Sequence, residues 1–291
     1  MIALTPLYLL VLAASGMLAG FIGSLLGIGG GIVVVPLLTL GFGVDIKIAI
    51  ASSLIAVVAT STAAGSVYVG KGLANMRLGM VLEIATTIGA ISGVFITVLI
   101  SPSTISAVFS VLMVITAGLV FKTKDQAKIP DSATQAQLLT TGHEEIGVLG
   151  GSFFDPYLKQ MQTYKVERVF LGSAVSLIAG IVSGMLGIGG GFLKVPAMNL
   201  GMKVPMKVAT ATSNFMIGVT AISSLFVYFS RGYVYPMLAG PVAIGVVSGA
   251  LYGTKISQKI SPGLMRKAFA FILIGVAIQM FLKSIGALHA N

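Results

Sequence analysis

Long apolar runs recur along the whole chain and are separated by short polar or glycine-rich connections. At a helical rise of about 1.5 Å per residue, about 20 residues span the hydrocarbon core of a bilayer. Runs of this length predict membrane-spanning helices, and they cover residues 7–26, 46–69, 78–100, 104–121, 169–186, 204–229, 233–254 and 263–282. Two shorter runs, residues 32–40 and 192–200, reach only about half that distance. They are predicted to be half-helices or thin, tilted crossings, and the pattern leaves both alternatives open.

Each short run follows a cluster of glycines. Residues 27–31 read Gly-Ile-Gly-Gly-Gly and lead to a Val-Pro pair, and residues 187–191 repeat the same motif before a second Val-Pro pair. Glycine loses the most backbone entropy on ordering, so a segment this rich in glycine cannot hold a stable helix. We therefore predict a helix break at both motifs.

The two motifs belong to an internal duplication. Residues 20–72 align with residues 180–232 at a constant offset, and 20 of the 53 aligned positions are identical. The chain is predicted to divide into a first copy (residues 1–122), a linker (residues 123–167) and a second copy (residues 168–291). An internal repeat in a helical membrane protein is typical of secondary transporters, in which the cargo lies between the repeats near the midplane.

The distribution of Lys and Arg predicts the orientation of the two copies. If the amino terminus is outside and every segment crosses, most of the 18 Lys and Arg residues fall on cytoplasmic connections, as the positive-inside rule requires. Each copy then crosses an odd number of times, so the copies lie in opposite orientations. The prediction is an all-α integral membrane protein of the cytoplasmic membrane, with two inverted repeats of about five helical segments each.

The linker, residues 123–167, is the most polar part of the chain and holds six of the eight acidic residues. It is predicted to be a cytoplasmic loop, and a solvated connector is favoured over a regulatory or partner-docking element. Turn residues and β-formers at 150–157 and 164–168 favour a small hairpin. His143 stands beside two glutamates, a pattern too weak to predict a metal site.

Composition narrows the classes of function. The chain is 56% hydrophobic and 9% charged, with a mean hydropathy of +1.02, so it lacks the polar surface that a soluble globule of this size needs. The absence of cysteine excludes disulfides and cysteine nucleophiles. Glu83 is the one clear acid inside a predicted span, so the spans hold no constellation for catalysis. The protein is therefore predicted not to be an enzyme, with no cofactor and no metal.

The glycine motifs have three interpretations. A dinucleotide-binding loop is excluded, because that loop follows a strand and requires an acid about 20 residues further on. Close helix packing is a second interpretation, and it is preferred for isolated glycines such as Gly89 and Gly93. For the doubled motif we favour the third, in which the break exposes backbone amides at the start of the next half-helix. The positive dipole end of that helix attracts anions.

Two motifs together give the chain a family resemblance. The doubled Gly-Ile-Gly-Gly-Gly to Val-Pro pattern and the Ala-Thr-Ala-Thr-Ser-Asn sequence at residues 209–214 resemble the TauE/SafE sulfite-exporter family of membrane transporters. The chain length and the central polar loop agree with this resemblance. It implies transport of a small sulfur-containing anion, such as sulfite, sulfoacetate or another organosulfonate. The direction that the resemblance implies is often export, although uptake occurs too.

The resemblance, carried over by position, assigns the substrate site to the glycine turns and to the small polar clusters after them. With Lys194 added for its charge, the candidate residues are Gly29, Gly30, Gly31, Ser52, Ser53, Gly189, Gly190, Gly191, Lys194, Thr212, Ser213 and Asn214. Hydroxyl and amide groups donate hydrogen bonds to sulfonate oxygens, although helix–helix hydrogen bonding is an equal alternative for any one of them. Leu54 aligns with Asn214, so the two halves of the site are expected to be unequal.

Charge inside the spans favours an anionic cargo. No Asp or Glu follows Glu167, whereas ten Lys or Arg do. Lys194 stands one turn after the second glycine motif, and its ammonium is expected either to pair with the anion or to snorkel to water. Glu83 is the candidate coupling residue. It either relays a proton or pairs with Arg77, and the pairing with Arg77 is favoured.

A secondary transporter that works by alternating access is the leading hypothesis. The alternatives are an anion channel, which also uses helix breaks, and an accessory membrane scaffold, which also uses packing glycines. The predicted partners are a small sulfur-containing anion and the lipid bilayer, without nucleic acid, and a homodimer is an additional option.

Overall fold

The computed structural model describes residues 6–26, 29–122, 147–155, 160–256 and 262–286. The helices of the first copy are α1 (Pro6–Leu26), α2 (Gly31–Pro36), α3 (Ile46–Gly70), α4 (Met76–Leu99) and α5 (Pro102–Lys122). Those of the second copy are α6 (Val169–Leu186), α7 (Gly191–Pro196), α8 (Met206–Ser230), α9 (Pro236–Ile256) and α10 (Pro262–Ser284). Helices thus make up most of the described chain, which confirms the all-α fold. The pattern at His143 lies outside the described residues.

In the described part of the linker, two short strands lie between the copies, β1 (Gly151–Asp155) and β2 (Gln160–Tyr164). They pair antiparallel, with Gly151 opposite Tyr164 and Asp155 opposite Gln160. We refer to β1 and β2 together as the hairpin strands.

Within the described residues, six helices are long and apolar enough to cross a membrane, namely α1, α3, α4, α6, α8 and α9. Three further apolar helical stretches, Gly31–Gly41, Pro102–Gly118 and Leu273–Ser284, are shorter. The surfaces of the long helices carry many exposed large apolar side chains, as expected where lipid rather than water surrounds the protein. The chain is therefore built as a multi-pass membrane protein.

The two short segments are built alike. α2 runs through Pro36 into a π-helical turn at Leu37–Gly41, and α7 runs through Pro196 into a π-helical turn at Ala197–Gly201. Proline has no N–H, and its ring displaces the carbonyl four residues earlier, so the regular hydrogen-bond ladder cannot continue through it. Each short helix together with its π-helical turn spans only about half the thickness of the hydrocarbon core.

Glycines line the contact between α1 and α9. A side chain at any of them would collide with the backbone of the opposite helix. The contacts pair Gly16 with Val242, Gly20 with Val246, Gly245 with Ala13 and Gly249 with Met17. The residue numbers of the paired positions increase together along α1 and α9, so the two helices run parallel. The glycines let the two backbones approach closely.

The contact between α4 and α6 has the same construction. It pairs Gly89 with Leu177, Gly93 with Ile181, Gly180 with Thr86 and Gly184 with Ala90. These two helices also run parallel. The expectation that Gly89 and Gly93 let helices pack closely is confirmed.

These contacts interlock the two copies. The first helix of each copy packs against the fourth helix of the other copy, α1 against α9 and α6 against α4, and α5 packs against α10. Helices α3 and α8 contact each other, and each also contacts a helix of the opposite copy, α3 with α9 and α8 with α4. α3 and α8 therefore lie at the centre of one shared core, next to both glycine motifs.

Candidate functional site

The two glycine breaks have matching backbone conformations. Gly29 and Gly189 both have φ of 84°, and Gly30 and Gly190, which precede α2 and α7, have φ of 72° and 73°. These are left-handed values that side chains with a Cβ rarely adopt. The glycines are therefore needed for the sharp entry into each short helix, which confirms a break at these positions. Residues 27 and 28 of the first motif lie outside the described residues.

Both breaks meet at the middle of α3 and α8. A side chain at Gly29 or at Gly189 would lie within 3.3 Å of atoms of both Val57 and Ile217. Gly31, which begins α2, lies directly against the carbonyl of Gly187. All of the glycines assigned to the site are buried. The structure thus brings Gly29 to Gly31 together with Gly189 to Gly191, with Val57 and Ile217 filling the space between them.

Two buried serines lie side by side on α3, and Ser53 is at the meeting point of the breaks. The hydroxyl of Ser53 donates to the carbonyl of Gly187 at 2.5 Å, so α3 of the first copy bonds to the break of the second. Ser52 is also fully buried, and its hydroxyl has no hydrogen-bond partner within the described part of the chain. A buried polar group without a partner is costly, so the Ser52 hydroxyl is a candidate to bind a ligand or a water.

Asn214 of α8 has one satisfied and one unsatisfied side-chain atom. Its amide nitrogen donates to the carbonyl of Thr210 at 3.0 Å, while Oδ1 is buried without a partner among the described residues. Its backbone carbonyl accepts from the hydroxyl of Ser61 on α3. Ser213 beside it is fully buried. Asn214 therefore lies on the contact between the two central helices.

Thr212 lies elsewhere. Its hydroxyl accepts from the backbone N–H of Asn75 at 2.9 Å, and its methyl group faces Gly79 near the start of α4. Thr212 therefore stabilises the α3–α4 connection. Unlike the predicted site glycines and Ser53, it does not lie at the glycine breaks.

Lys194 and Glu83 form a buried ion pair, with 3.5 Å between Nζ and Oε2. Lys194 is 1% exposed and Glu83 is 7% exposed. The expected pairing of Glu83 with Arg77 is thus wrong. The side chain of Glu83 points into the core, where α4 packs against α8, instead of along its own helix toward the membrane face. Lys194 likewise does not snorkel to water.

Thr220 of α8 completes this cluster, which we call the buried triad (Glu83, Lys194 and Thr220). The ammonium of Lys194 donates to the Thr220 hydroxyl at 3.0 Å, and that hydroxyl lies 2.6 Å from Oε1 of Glu83. Sequence reasoning missed Thr220 as a site residue. A signal existed, because Thr220 and Thr60 are identical between the copies, but such an identity does not distinguish a site residue from a packing residue.

Among the described residues, the buried triad has no counterpart at the aligned positions of the other copy. In the alignment of the copies, Val34 takes the place of Lys194, and Ala239 takes the place of Glu83 when Gly89 is aligned with Gly245. Both Val34 and Ala239 are buried and apolar. The two halves of the core therefore differ in charge although their backbones correspond.

The hairpin strands dock beside the α3–α4 connection through Asn75. The amide nitrogen of Asn75 donates to the carbonyl of Leu149 at 2.8 Å and to the phenol oxygen of Tyr164 at 2.9 Å, while its Oδ1 accepts from the N–H of Leu78. Burial raises the pKa of the Tyr164 phenol, which keeps it protonated. A cavity of about 320 Å³ lies here between Arg77, Phe153 and Val208.

Taken together, these features define a multi-pass helical membrane protein with a buried polar centre between its two copies. The model of the family described as Sulfite exporter TauE/SafE matches residues 12–280. The chain belongs to this family of membrane transporters, so the resemblance found in the sequence is confirmed. The protein is accordingly a multi-pass transporter of the cell membrane and not an enzyme.

Relatives across bacteria and archaea carry the same general description. The chain is 28% identical over 283 residues to "Probable membrane transporter protein YunE" of Bacillus subtilis, covering 94% of this chain and 98% of the relative. It is 28% identical over 300 residues to "Probable membrane transporter protein MJ0441" of Methanocaldococcus jannaschii, covering 96% of each. An Arabidopsis thaliana protein called "Sulfite exporter TauE/SafE family protein 2" matches over 117 residues at 28% identity, covering 39% of this chain and 25% of that protein. No solved structure matches the chain.

Proposed function

We propose that the protein is a secondary transporter that moves a small sulfur-containing anion, such as sulfite, sulfoacetate or another organosulfonate, out of the cell by alternating access. The family to which the chain belongs is named for sulfite export. The observation that carries the proposal is the meeting of the two glycine breaks at Val57 and Ile217. Broken helices that meet between repeats are where secondary transporters bind their cargo.

The chemistry of the proposed site suits an oxyanion. The turns place backbone amides at the starts of two short helices, where the dipoles favour negative charge. The Ser52 hydroxyl, which has no partner among the described residues, supplies a hydrogen-bond donor. The Ser53 hydroxyl and the Asn214 amide, which donate to the Gly187 and Thr210 carbonyls, become donors to the anion when the helices shift. Lys194, one turn into α7, supplies the positive charge. Sulfite and sulfonates present three oxygens each, so several such donors can bind one anion at once.

Binding at this site requires the central helices to move. Val57 and Ile217 lie between the breaks, and the surrounding glycines are buried, so we place the cargo there only after α3 and α8 shift apart. A site that opens first to one side of the membrane and then to the other works by alternating access. We further propose that the copies are inverted. Ser61 lies in the second half of α3 and bonds to Asn214, which lies in the first half of α8. A contact between a late residue of one helix and an early residue of the other is typical of helices that cross the membrane in opposite directions.

Equilibrium binding tests the site. The purified protein should bind radiolabelled sulfite or sulfoacetate in a scintillation-proximity assay, with saturation and with competition by the unlabelled anion. Ser213→Ala and Asn214→Ala should weaken binding, because each removes a polar group from the proposed site. Ser223→Ala is the matched control, since Ser223 lies on the same helix but is only half-buried and donates to the Val219 carbonyl of its own helix. Unchanged binding by Ser213→Ala and Asn214→Ala would contradict this site.

A further inference from the structure

We propose that the buried triad couples transport to protons: Glu83 takes up one proton each time an anion binds to Lys194, so that one proton and one anion cross together. This inference rests on the proposed function and deepens it, because it assigns the co-transported ion and the group that carries it. It also gives Thr220 a role as the hydroxyl that adjusts to both states of Glu83.

The triad joins the two copies at the place where such an exchange is needed. Glu83 belongs to α4 of the first copy, whereas Lys194 and Thr220 belong to α7 and α8 of the second copy. Lys194 is also one turn from Gly190, since its backbone N–H donates to the Gly190 carbonyl at 3.2 Å. A movement of one copy against the other changes the distance between Lys194 and Glu83, and the anion site adjoins the same lysine.

Charge balance then links the anion to the proton. With the site empty, the ammonium of Lys194 and the carboxylate of Glu83 neutralise each other. An anion that takes Lys194 leaves Glu83 as an uncompensated negative charge in a buried position, and buried charges without a partner are strongly unfavourable. The carboxylate avoids this cost by taking a proton from water on the side from which the anion entered. It releases the proton when the anion leaves and Lys194 returns.

The contacts of Glu83 are consistent with both protonation states. Oε2 is buried and accepts no hydrogen bond among the described residues, and its charged neighbour is the Lys194 ammonium at 3.5 Å, so it is the oxygen that can carry the proton once Lys194 turns to the anion. The Thr220 hydroxyl, which donates to Oε1 in the ionised state, has a second acceptor in the Met216 carbonyl at 3.1 Å. It can turn to that carbonyl when Glu83 is protonated. The neighbouring hydroxyl of Thr87, 3.4 Å from Oε1, is neutral.

Within the part of the chain that the structure describes, Lys194 is the titratable side chain that contacts Glu83, and the other polar contacts are Thr87 and Thr220. One charge pair therefore gives one proton per anion. A monovalent anion crosses without net charge, and a divalent anion carries one net negative charge. The flux runs down the sum of the anion and proton gradients. Export therefore takes place when the outward anion gradient exceeds the inward proton gradient, and an acidic exterior with no anion gradient drives entry.

The test uses the full chain in proteoliposomes with the membrane potential clamped at zero, radiolabelled sulfoacetate or sulfite as cargo, and a pH-sensitive dye trapped inside. An acidic exterior should drive wild-type accumulation by about tenfold per pH unit for one proton per anion, accompanied by proton entry. E83Q, which mimics the protonated carboxyl, should still exchange labelled for unlabelled anion. It should lose both the pH-driven accumulation and the proton entry. Exchange activity of E83Q shows that the variant is folded.

E167Q is the matched control, because Glu167 also pairs with a lysine, Lys203, but is exposed outside the core; it should behave as the wild type. Proton-coupled accumulation by E83Q equal to that of the wild type would overturn the coupling claim while leaving the proposed function intact. A wild-type protein that exchanges the anion without moving protons would overturn it as well. Absence of anion exchange by the wild type would instead contradict the proposed function itself.

Discussion

Lys194 of the second copy lies 3.5 Å from Glu83 of the first, measured from Nζ to Oε2, and both side chains are buried. This pair connects the short helix after the second glycine break to α4, which packs against α6 and α8. The same two residues therefore hold the copies together and place a positive charge beside the proposed anion site. Measuring the thermal stability of the purified protein tests this ion pair independently of transport.

Lys194→Met should lower the thermal stability of the purified protein. Removing one partner of a buried ion pair costs about 3–5 kcal/mol, because Glu83 must then either stay buried as an uncompensated charge or take up a proton. The double variant E83Q/K194M should recover most of the loss, since neutral groups of similar volume replace both charges. The chain has no Trp, so unfolding is best followed as the loss of monodisperse protein on size-exclusion chromatography after heating. A single variant as stable as the wild type would contradict the pairing.

Gly249→Ala should destabilise the contact between α1 and α9. Its added methyl group would meet the backbone of Met17, and overpacking of this kind costs about 1–3 kcal/mol. Gly240→Ala is the matched control on the same helix, because open space surrounds Gly240 and alanine favours a helix. The thermal midpoint of Gly249→Ala should therefore be lower than that of Gly240→Ala. Equal midpoints would show that the helices do not approach as closely as described.

Asn75→Ala should release the hairpin strands from the helices. The variant loses the hydrogen bonds to the Leu149 carbonyl and the Tyr164 phenol, together with the cap of α4. Amide hydrogen exchange in β1 and β2 should therefore become faster. Tyr164→Phe removes only the phenol contact and should have a smaller effect. Unchanged exchange in Asn75→Ala would mean that other contacts hold the strands in place.

The exposed pair of Glu167 and Lys203 should contribute little at physiological salt. The hydrogen bond from Lys203 lowers the pKa of Glu167, so any stabilisation is present above the unfolded pKa and is lost as the pH falls through the lower folded value. Both groups are solvated, and salt screens them. E167Q should match the wild type in thermal stability at high salt and differ from it only at low salt and neutral pH. A salt-independent difference would contradict the exposed geometry.

The sequence predicts the helices and the glycine breaks because both are local properties. Apolar run length fixes the spans, and the left-handed backbone at Gly30 and Gly190 requires glycine whatever surrounds it. The repeat also indicates that the two breaks belong together. Their meeting at Val57 and Ile217 is the geometric counterpart of that alignment.

The side-chain partners were not predictable in the same way. The expected pairing of Glu83 with Arg77 relied on closeness along one helix, whereas the observed partner Lys194 comes from the other copy. That contact depends on how α4 packs on α8, a long-range relationship that helical periodicity does not encode. For the same reason, the sequence did not distinguish Thr212, which binds the Asn75 backbone, from its neighbours on α8.

Counterflow in proteoliposomes tests the central claim most directly. Vesicles loaded with unlabelled sulfoacetate or sulfite should take up the radiolabelled anion with saturation and with competition by the same anion outside. Uptake should be lost in Lys194→Met, which lacks the buried ammonium of the proposed site, and kept in the half-buried control Ser223→Ala. Saturable uptake that depends on Lys194 is the predicted result. Flux that does not saturate and exceeds carrier rates would indicate a channel, and no uptake of either anion would contradict sulfur-anion transport by this protein.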